Sequence, residues 1–142
     1  MWRDIERRAA LFGLEWKGVP PYPVDRSGLC NRIGAVAADE GWAAEFTKAV
    51  YRAWFLEHQD FGLPEVVRPI LRQLGQAPDA VIQRADGDEG TKKFEINTDE
   101  ARMLGVFGAP SFVVDGEVFW GHDRLDDALK WARIGNWIGQ SS

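Results

Sequence analysis

Between residues 105 and 124 the chain reads Gly-Val-Phe-Gly-Ala-Pro-Ser-Phe-Val-Val-Asp-Gly-Glu-Val-Phe-Trp-Gly-His-Asp-Arg, and no other stretch restricts the fold as much. Its parts act in order. Gly105 can take the left-handed conformation that stops a helix, and Pro110 rigidifies the approach to a β-prone apolar run over 111 to 115. Asp115-Gly116 is a hairpin turn signal between that run and a second one at 117 to 120. The second run stops at Gly121. Beyond it Asp123 can cap a helix, expected to reach about Asn136, whose first turn presents backbone N–H groups toward an anion.

Everything upstream reads as helix and connector. Trp2, Ile5, Ala9 and Phe12 recur at helical spacing, Gly13 ends that helix, and no Ser, Thr, Asp or Asn precedes Trp2 as a cap. The loop Val19-Pro20-Pro21-Tyr22-Pro23-Val24-Asp25 cannot be helical. A helix is expected from about Arg26 to Glu40, and Gly41 divides it from a second with Trp42, Phe46, Ala49, Val50 and Ala53 on one face. Leu63, Val66, Val67, Ile70, Leu71 and Leu74 give the cleanest helical period, with Pro64 suited to the first turn and Gly75 to the end. Pro69 lies inside this helix and should kink it. A short helix begins near Pro78. A longer one runs from about Asp88 to Leu104, with an interruption expected at Asn97-Thr98, both of which favour caps over helix interiors.

Composition removes several classes of function. With 142 residues, 45% of them hydrophobic, the chain has the size of a single domain, 1 to 142, and enough apolar side chains for a core. A net charge of -5 with interspersed signs argues against nucleic-acid binding. No segment approaches the roughly 18 consecutive apolar residues of a membrane span. The charged start Met-Trp-Arg-Asp-Ile-Glu has no apolar signal region, which points to a cytoplasmic protein. Cys30 is the single cysteine, so this chain offers no dithiol chemistry, and a small apolar packing role in a helix suits it. No metal site is expected, since His58 and His122 stand far apart and outside any ligand-spaced cluster.

At residues 105 to 124 the chain resembles the thioredoxin-like superfamily, in which a cis-proline precedes a strand beside the active site. More narrowly it resembles the branch holding the DsbA-like oxidoreductases, the kappa-class glutathione transferases and the 2-hydroxychromene-2-carboxylate isomerases. The isomerases match best: Phe119-Trp120-Gly121-His122-Asp123-Arg124 is similar to their tryptophan-glycine-x-aspartate-arginine motif, and Trp2-Arg3-Asp4-Ile5-Glu6-Arg7 to the start of their first inserted helix. Thr98-Asp99-Glu100-Ala101 and Gly105-Val106-Phe107-Gly108 are similar to their approach to the cis-proline. The implied class is α/β and predominantly helical: a thioredoxin-like fold with a helical insertion over 1 to 104 and the C-terminal half of the thioredoxin-like part over 105 to 142. An N-terminal strand-helix-strand is expected to precede it, because Met1 opens directly onto an uncapped helix and an isolated two-stranded hairpin is marginal in water.

The resemblance also implies roles. The backbone of Ala109, before Pro110, would pair with the cysteinyl backbone of glutathione; Ala109 is smaller than the usual valine, which implies a wider adjacent pocket. Without the resemblance Pro110 reads as a plain loop proline. Asp123 would face the γ-glutamyl end of glutathione as well as cap the last helix. His122 either offers a ring donor or points to solvent, and Arg124 braces the loop. Trp2, Trp42, Trp54, Trp120, Trp131 and Trp137 read mainly as core or interface residues, with Trp120 singled out for the substrate pocket. Asp25-Arg26 departs from the asparagine usual near that point. The catalytic serine or cysteine is expected in the preceding segment.

The expected activity is therefore glutathione-dependent isomerisation of 2-hydroxychromene-2-carboxylate or a related aromatic catabolite, by a homodimer. Thiol-disulfide exchange or glutathione transfer is the alternative on the same scaffold, decided by whether the preceding segment carries Cys-x-x-Cys or serine. A noncatalytic module that binds a partner through the hairpin edge is the third reading.

Overall fold

The helical periods of the sequence become the core of the first of two compact units into which the chain divides, Met1–Phe94 and a second beginning at Glu95. The structure is a computed structural model and describes residues 1–135. In the first unit the order is α1 (Trp2–Leu11), α2 (Leu29–Glu40), α3 (Ala43–Glu57), α4 (Pro64–Gln73) and α5 (Pro78–Asp86), and α6 (Asp88–Met103) crosses the boundary between units. Helix α2 packs on α3 and α5, and α4 on α3 and α5.

The buried faces are those the periodicity marks. Ile33, Val36, Val67 and Leu71 are completely buried. Phe46, Val50 and Ala53 of α3 join them, with Trp42, Ala49, Val66 and Leu74 packed at the margin. Each fully buried side chain of this size contributes about 1.5–3 kcal/mol relative to exposure. Pro64 occupies the first turn of α4, and Pro69 lies inside that helix without ending it. The face of α1 is narrower than its spacing suggests. Ala9 is buried and Trp2 and Ile5 are half-buried, but Phe12 lies beyond the helix, 59% exposed, with the Arg8 guanidinium over its ring at 5.8 Å.

Three expectations about helix limits need correction here. Helix α2 begins at Leu29 rather than near Arg26, because Gly28 before it is left-handed, with φ 71°. The N-terminal amides of α2 are served from further back: the Cys30 N–H donates to Asp25 Oδ2 at 3.1 Å, and the Leu29 and Asn31 amides favour the same carboxylate. Helix α6 is continuous through Asn97-Thr98, since a poor helix former costs well under 1 kcal/mol, less than a broken helix loses. The last helix starts at Leu125, after a 3-10 turn His122–Arg124, and ends at Ile134; the expected end at Asn136 and Trp137 lie outside the described residues.

Asp25, at the departure noted in the sequence, is also held through its main chain. Its N–H donates to Asp60 Oδ1 at 3.1 Å, and the Gly62 N–H donates to the same oxygen at 2.9 Å. One carboxylate thus fastens the proline-rich loop to the loop before α4. Burial raises the Asp25 carboxyl above the ordinary aspartate value, although the three amides favour its anion. Beside it Cys30 Sγ–H donates to the Phe61 carbonyl at 2.9 Å, and burial, with Asp25 and Asp60 adding to it, pushes the thiol far above its ordinary range. Cys30 takes the packing role expected of it. Both Tyr22-Pro23 and Ala109-Pro110 are cis; only the second was expected.

Ion pairs stitch the helices at their rims. Arg32 of α2 donates through Nε to the Ala85 carbonyl of α5 at 2.9 Å and meets Asp86 at 2.5 Å. Arg84 pairs with Glu40 and Glu89 at 2.7 and 2.8 Å, and Lys93 reaches Asp39. Such exposed pairs contribute little singly.

Two outcomes follow. Asp25→Ala should lower the urea midpoint by an amount equivalent to about 1 kcal/mol, the usual cost of losing a cap. Cys30 gives a pH-dependent effect. The unfolded thiol loses its proton near the ordinary value of 9.0, whereas the folded one retains it to higher pH. Below that value both states hold the proton and stability is unaffected; above it stability falls by at most about 1.4 kcal/mol per pH unit. Cys30→Ala should remove this component, so the unfolding free energies of the two proteins, measured against pH, should diverge only on the alkaline side.

Candidate functional site

The second unit is built outward from the end of α6. Gly105 has φ 77°, its N–H bonds to the Arg102 carbonyl at 3.0 Å, and the Val106 N–H bonds to the Ala101 carbonyl at 2.9 Å. This is the glycine stop read from the sequence. After the 104–110 segment the chain makes β1 (Ser111–Val114) and β2 (Glu117–Trp120), an antiparallel pair in the register Ser111 to Trp120 and Phe112 to Phe119. Asp115 and Gly116 both have positive φ, 50° and 83°, as a tight two-residue hairpin turn requires.

Alternation divides the hairpin into two faces. Phe112 and Phe119 share the face covered by α7 (Leu125–Ile134), where Phe119 meets the buried Trp131 edge-on at 6.0 Å. Trp120 lies on the other face, 56% exposed, with the Phe107 ring at 5.1 Å. Its indole lies so close to Gly108 that a Cβ there would approach Nε1 to 2.6 Å. Gly108 is therefore fitted to Trp120. The sequence alone assigns it no such role, because its only signal is a small residue two positions before a proline.

The open end of the hairpin gathers the candidate residues. The Gly121 N–H donates to the Pro110 carbonyl at 2.9 Å, and Ser111 Oγ donates to the Gly108 carbonyl at 2.6 Å. These bonds hold Ala109-Pro110 beside Trp120, Gly121, His122 and Asp123. Ala109, Pro110, Trp120, His122 and Asp123 are all exposed. The Ala109 amide and carbonyl have no hydrogen-bond partner among the described residues. That is an edge on which a peptide backbone can pair.

The expected cap is not there. Asp123 lies inside the 3-10 turn, and neither this turn nor α7 has a side-chain cap bond. The Arg124 N–H instead bonds to the Gly121 carbonyl at 3.0 Å, so the chain tightens before α7 begins and Asp123 falls within the turn. The Asp123 carboxylate remains exposed, 3.8 Å from Arg124 Nε. Arg124 also reaches Asp127 at 3.2 Å and so braces the turn from within. His122 is exposed in the same turn.

Helix, cis-proline, hairpin and helix together form the C-terminal arrangement of a thioredoxin-like fold, preceded here by a predominantly helical segment. A family model described as DSBA-like thioredoxin domain matches residues 1–130, and the chain belongs to that family. It is 30% identical over 130 residues to a 2-hydroxychromene-2-carboxylate isomerase of Sphingobium xenophagum, a match covering 89% of this chain and 63% of that protein. It is 25% identical over 123 residues to a 2-hydroxychromene-2-carboxylate isomerase of Pseudomonas putida, covering 86% of this chain and 59% of that one. The chain thus spans about three-fifths of the length of these relatives. No helix among the described residues is long and apolar enough to cross a membrane.

Gly108→Ala should force the Trp120 indole out of its seat. The indole N–H resonance of Trp120 should move, with a stability loss of about 1–3 kcal/mol, while signals of the first unit stay in place.

Proposed function

We propose that the protein containing these residues isomerises 2-hydroxychromene-2-carboxylate or a closely related aromatic acid with glutathione as the thiol cofactor. The names of the two relatives support the reaction class. The observation that carries the cofactor is the exposed, unpartnered backbone of Ala109, clamped beside the exposed Asp123 carboxylate by the bond from Gly121 to Pro110.

The residues fit glutathione. Its cysteinyl backbone offers one N–H and one C=O to the Ala109 edge, and its γ-glutamyl ammonium offers a cation to Asp123. When bound, glutathione would supply a nucleophilic thiolate for reversible addition to the conjugated substrate. The chain's part is positional. Ala109 fixes the tripeptide by backbone pairing that depends little on side-chain identity, Asp123 sets its direction, and Trp120 presents an aromatic face to a flat substrate. Holding reactants in one geometry supplies on the order of 7 kcal/mol of a barrier.

Cys30 gives no support to dithiol exchange. It is buried, and its raised titration leaves it a neutral thiol rather than a nucleophile.

Titration calorimetry with glutathione should show weak binding to this chain and a loss of up to about five-fold with Asp123→Ala, the range of an exposed ion pair. Turnover of 2-hydroxychromene-2-carboxylate should need both glutathione and the part of the Sphingobium relative that this chain does not span, supplied as a chimera. Equal turnover by the chain and the chimera, or turnover without glutathione, would refute the proposal.

A further inference from the structure

Pro69 lies inside α4, and glutathione binding gives it no part. A proline has no N–H, so the Glu65 carbonyl, one turn earlier, loses the donor that a helix would ordinarily supply. A helical carbonyl is directed along the axis toward the residue one turn on, so that of Glu65 is aimed at the Pro69 ring. Both residues line a groove of about 530 Å³ between α3 and α4, within the roughly 300–1,000 Å³ range of small-molecule sites. Ala49 and Ala53 of α3, with Val66 and Ile70 of α4, form its apolar lining. The two alanines share one face of α3, and their short side chains leave the groove its width.

Acceptors outweigh donors in this lining. Arg52 lies 3.4 Å from Glu57, which lines the same groove, and Arg68 of α4 is engaged with Asp79 at 2.9 Å. The Glu65 carboxylate has no partner among the described residues. Glu65 therefore presents both a side-chain anion and the main-chain carbonyl that Pro69 releases. Gln59 and Gln73, the other polar groups of the lining, can accept as well as donate. In a chain of net charge -5 this arrangement is complementary to a cation that also donates hydrogen bonds. A primary ammonium carries donors and no acceptor, and its alkyl stem can lie along apolar surface while the charge stays at the rim.

We infer that this groove binds a primary alkylamine as its ammonium, the charge on the Glu65 carboxylate and carbonyl and the stem along Ala53, Val66 and Ile70. The site is separate from the proposed glutathione site, and its test reads binding alone, so either can fail without the other.

The probe is n-hexylamine at neutral pH, with 1-hexanol as the uncharged control, titrated into the full chain by calorimetry and followed by the Val66 and Ile70 methyl resonances. The amine should bind more tightly than the alcohol and shift both sets of methyls. Glu65→Gln should lower the affinity for the amine by up to about five-fold, the range of an exposed ion pair, and leave that for the alcohol unchanged. Added salt should weaken the amine selectively. Pro69→Ala returns an N–H to the Glu65 carbonyl, so the urea midpoint should rise while the ratio of amine to alcohol affinity falls. Methyl resonances that the amine does not move at millimolar concentration, equal affinity for amine and alcohol, or a ratio that either variant leaves unchanged would overturn the inference.

Discussion

One backbone hydrogen bond, from the Gly121 N–H to the Pro110 carbonyl, organises the second unit. It extends the hairpin by one pairing beyond Ser111 and Trp120 and so joins two residues eleven apart in sequence. Without it the 104–110 segment and the 3-10 turn would be independent loops, each free to place its side chains separately. With it, Ala109, Pro110, His122 and Asp123 share one rim, and Trp120 is held between Phe107 and Gly108. The other face of the same hairpin is anchored by Phe119 on Trp131. Apolar burial therefore supplies the anchor, and the main chain supplies the precision.

The first unit is held by a different division of labour. Its stability comes from the contiguous apolar cluster of α2, α3, α4 and α5. Its geometry is set by a few partly buried polar groups at the loops: Asp25 on the first turn of α2, Asp60 on the Asp25 and Gly62 amides, and the Cys30 thiol on the Phe61 carbonyl. Each satisfies a backbone group that burial would otherwise leave unpaired. The raised carboxyl of Asp25 records the cost of placing a charge there. Exposed pairs such as Arg3 with Glu6, or Arg7 with Asp4, decorate the surface and decide little.

The proposed glutathione site, made chiefly from main chain, would tolerate change in its side chains. That is consistent with an alanine at 109 and a histidine at 122 in a family member about 30% identical to a named isomerase. Side-chain chemistry concentrates instead in Asp123 and Trp120, the exposed carboxylate and the exposed ring.

The sequence by itself determined what depends on near neighbours. Helical spacing marked Phe46, Val50, Val67 and Leu71 as core, and local chemistry marked Gly105 as a stop and Asp115-Gly116 as a turn, because periodicity and turn chemistry act over a few residues; the residues around Pro110 and Gly121 stood out as a candidate site only through the family resemblance. Tertiary structure decided the rest. The start of α2 depends on Asp25, whose own position depends on Asp60, 35 residues away. Asp123 became part of a 3-10 turn instead of a cap once the Arg124 amide took the Gly121 carbonyl. Gly108 acquired its role only when the hairpin brought Trp120 over it. Local propensities differ by less than 1 kcal/mol, so contacts between distant segments choose among the conformations that the local sequence leaves open.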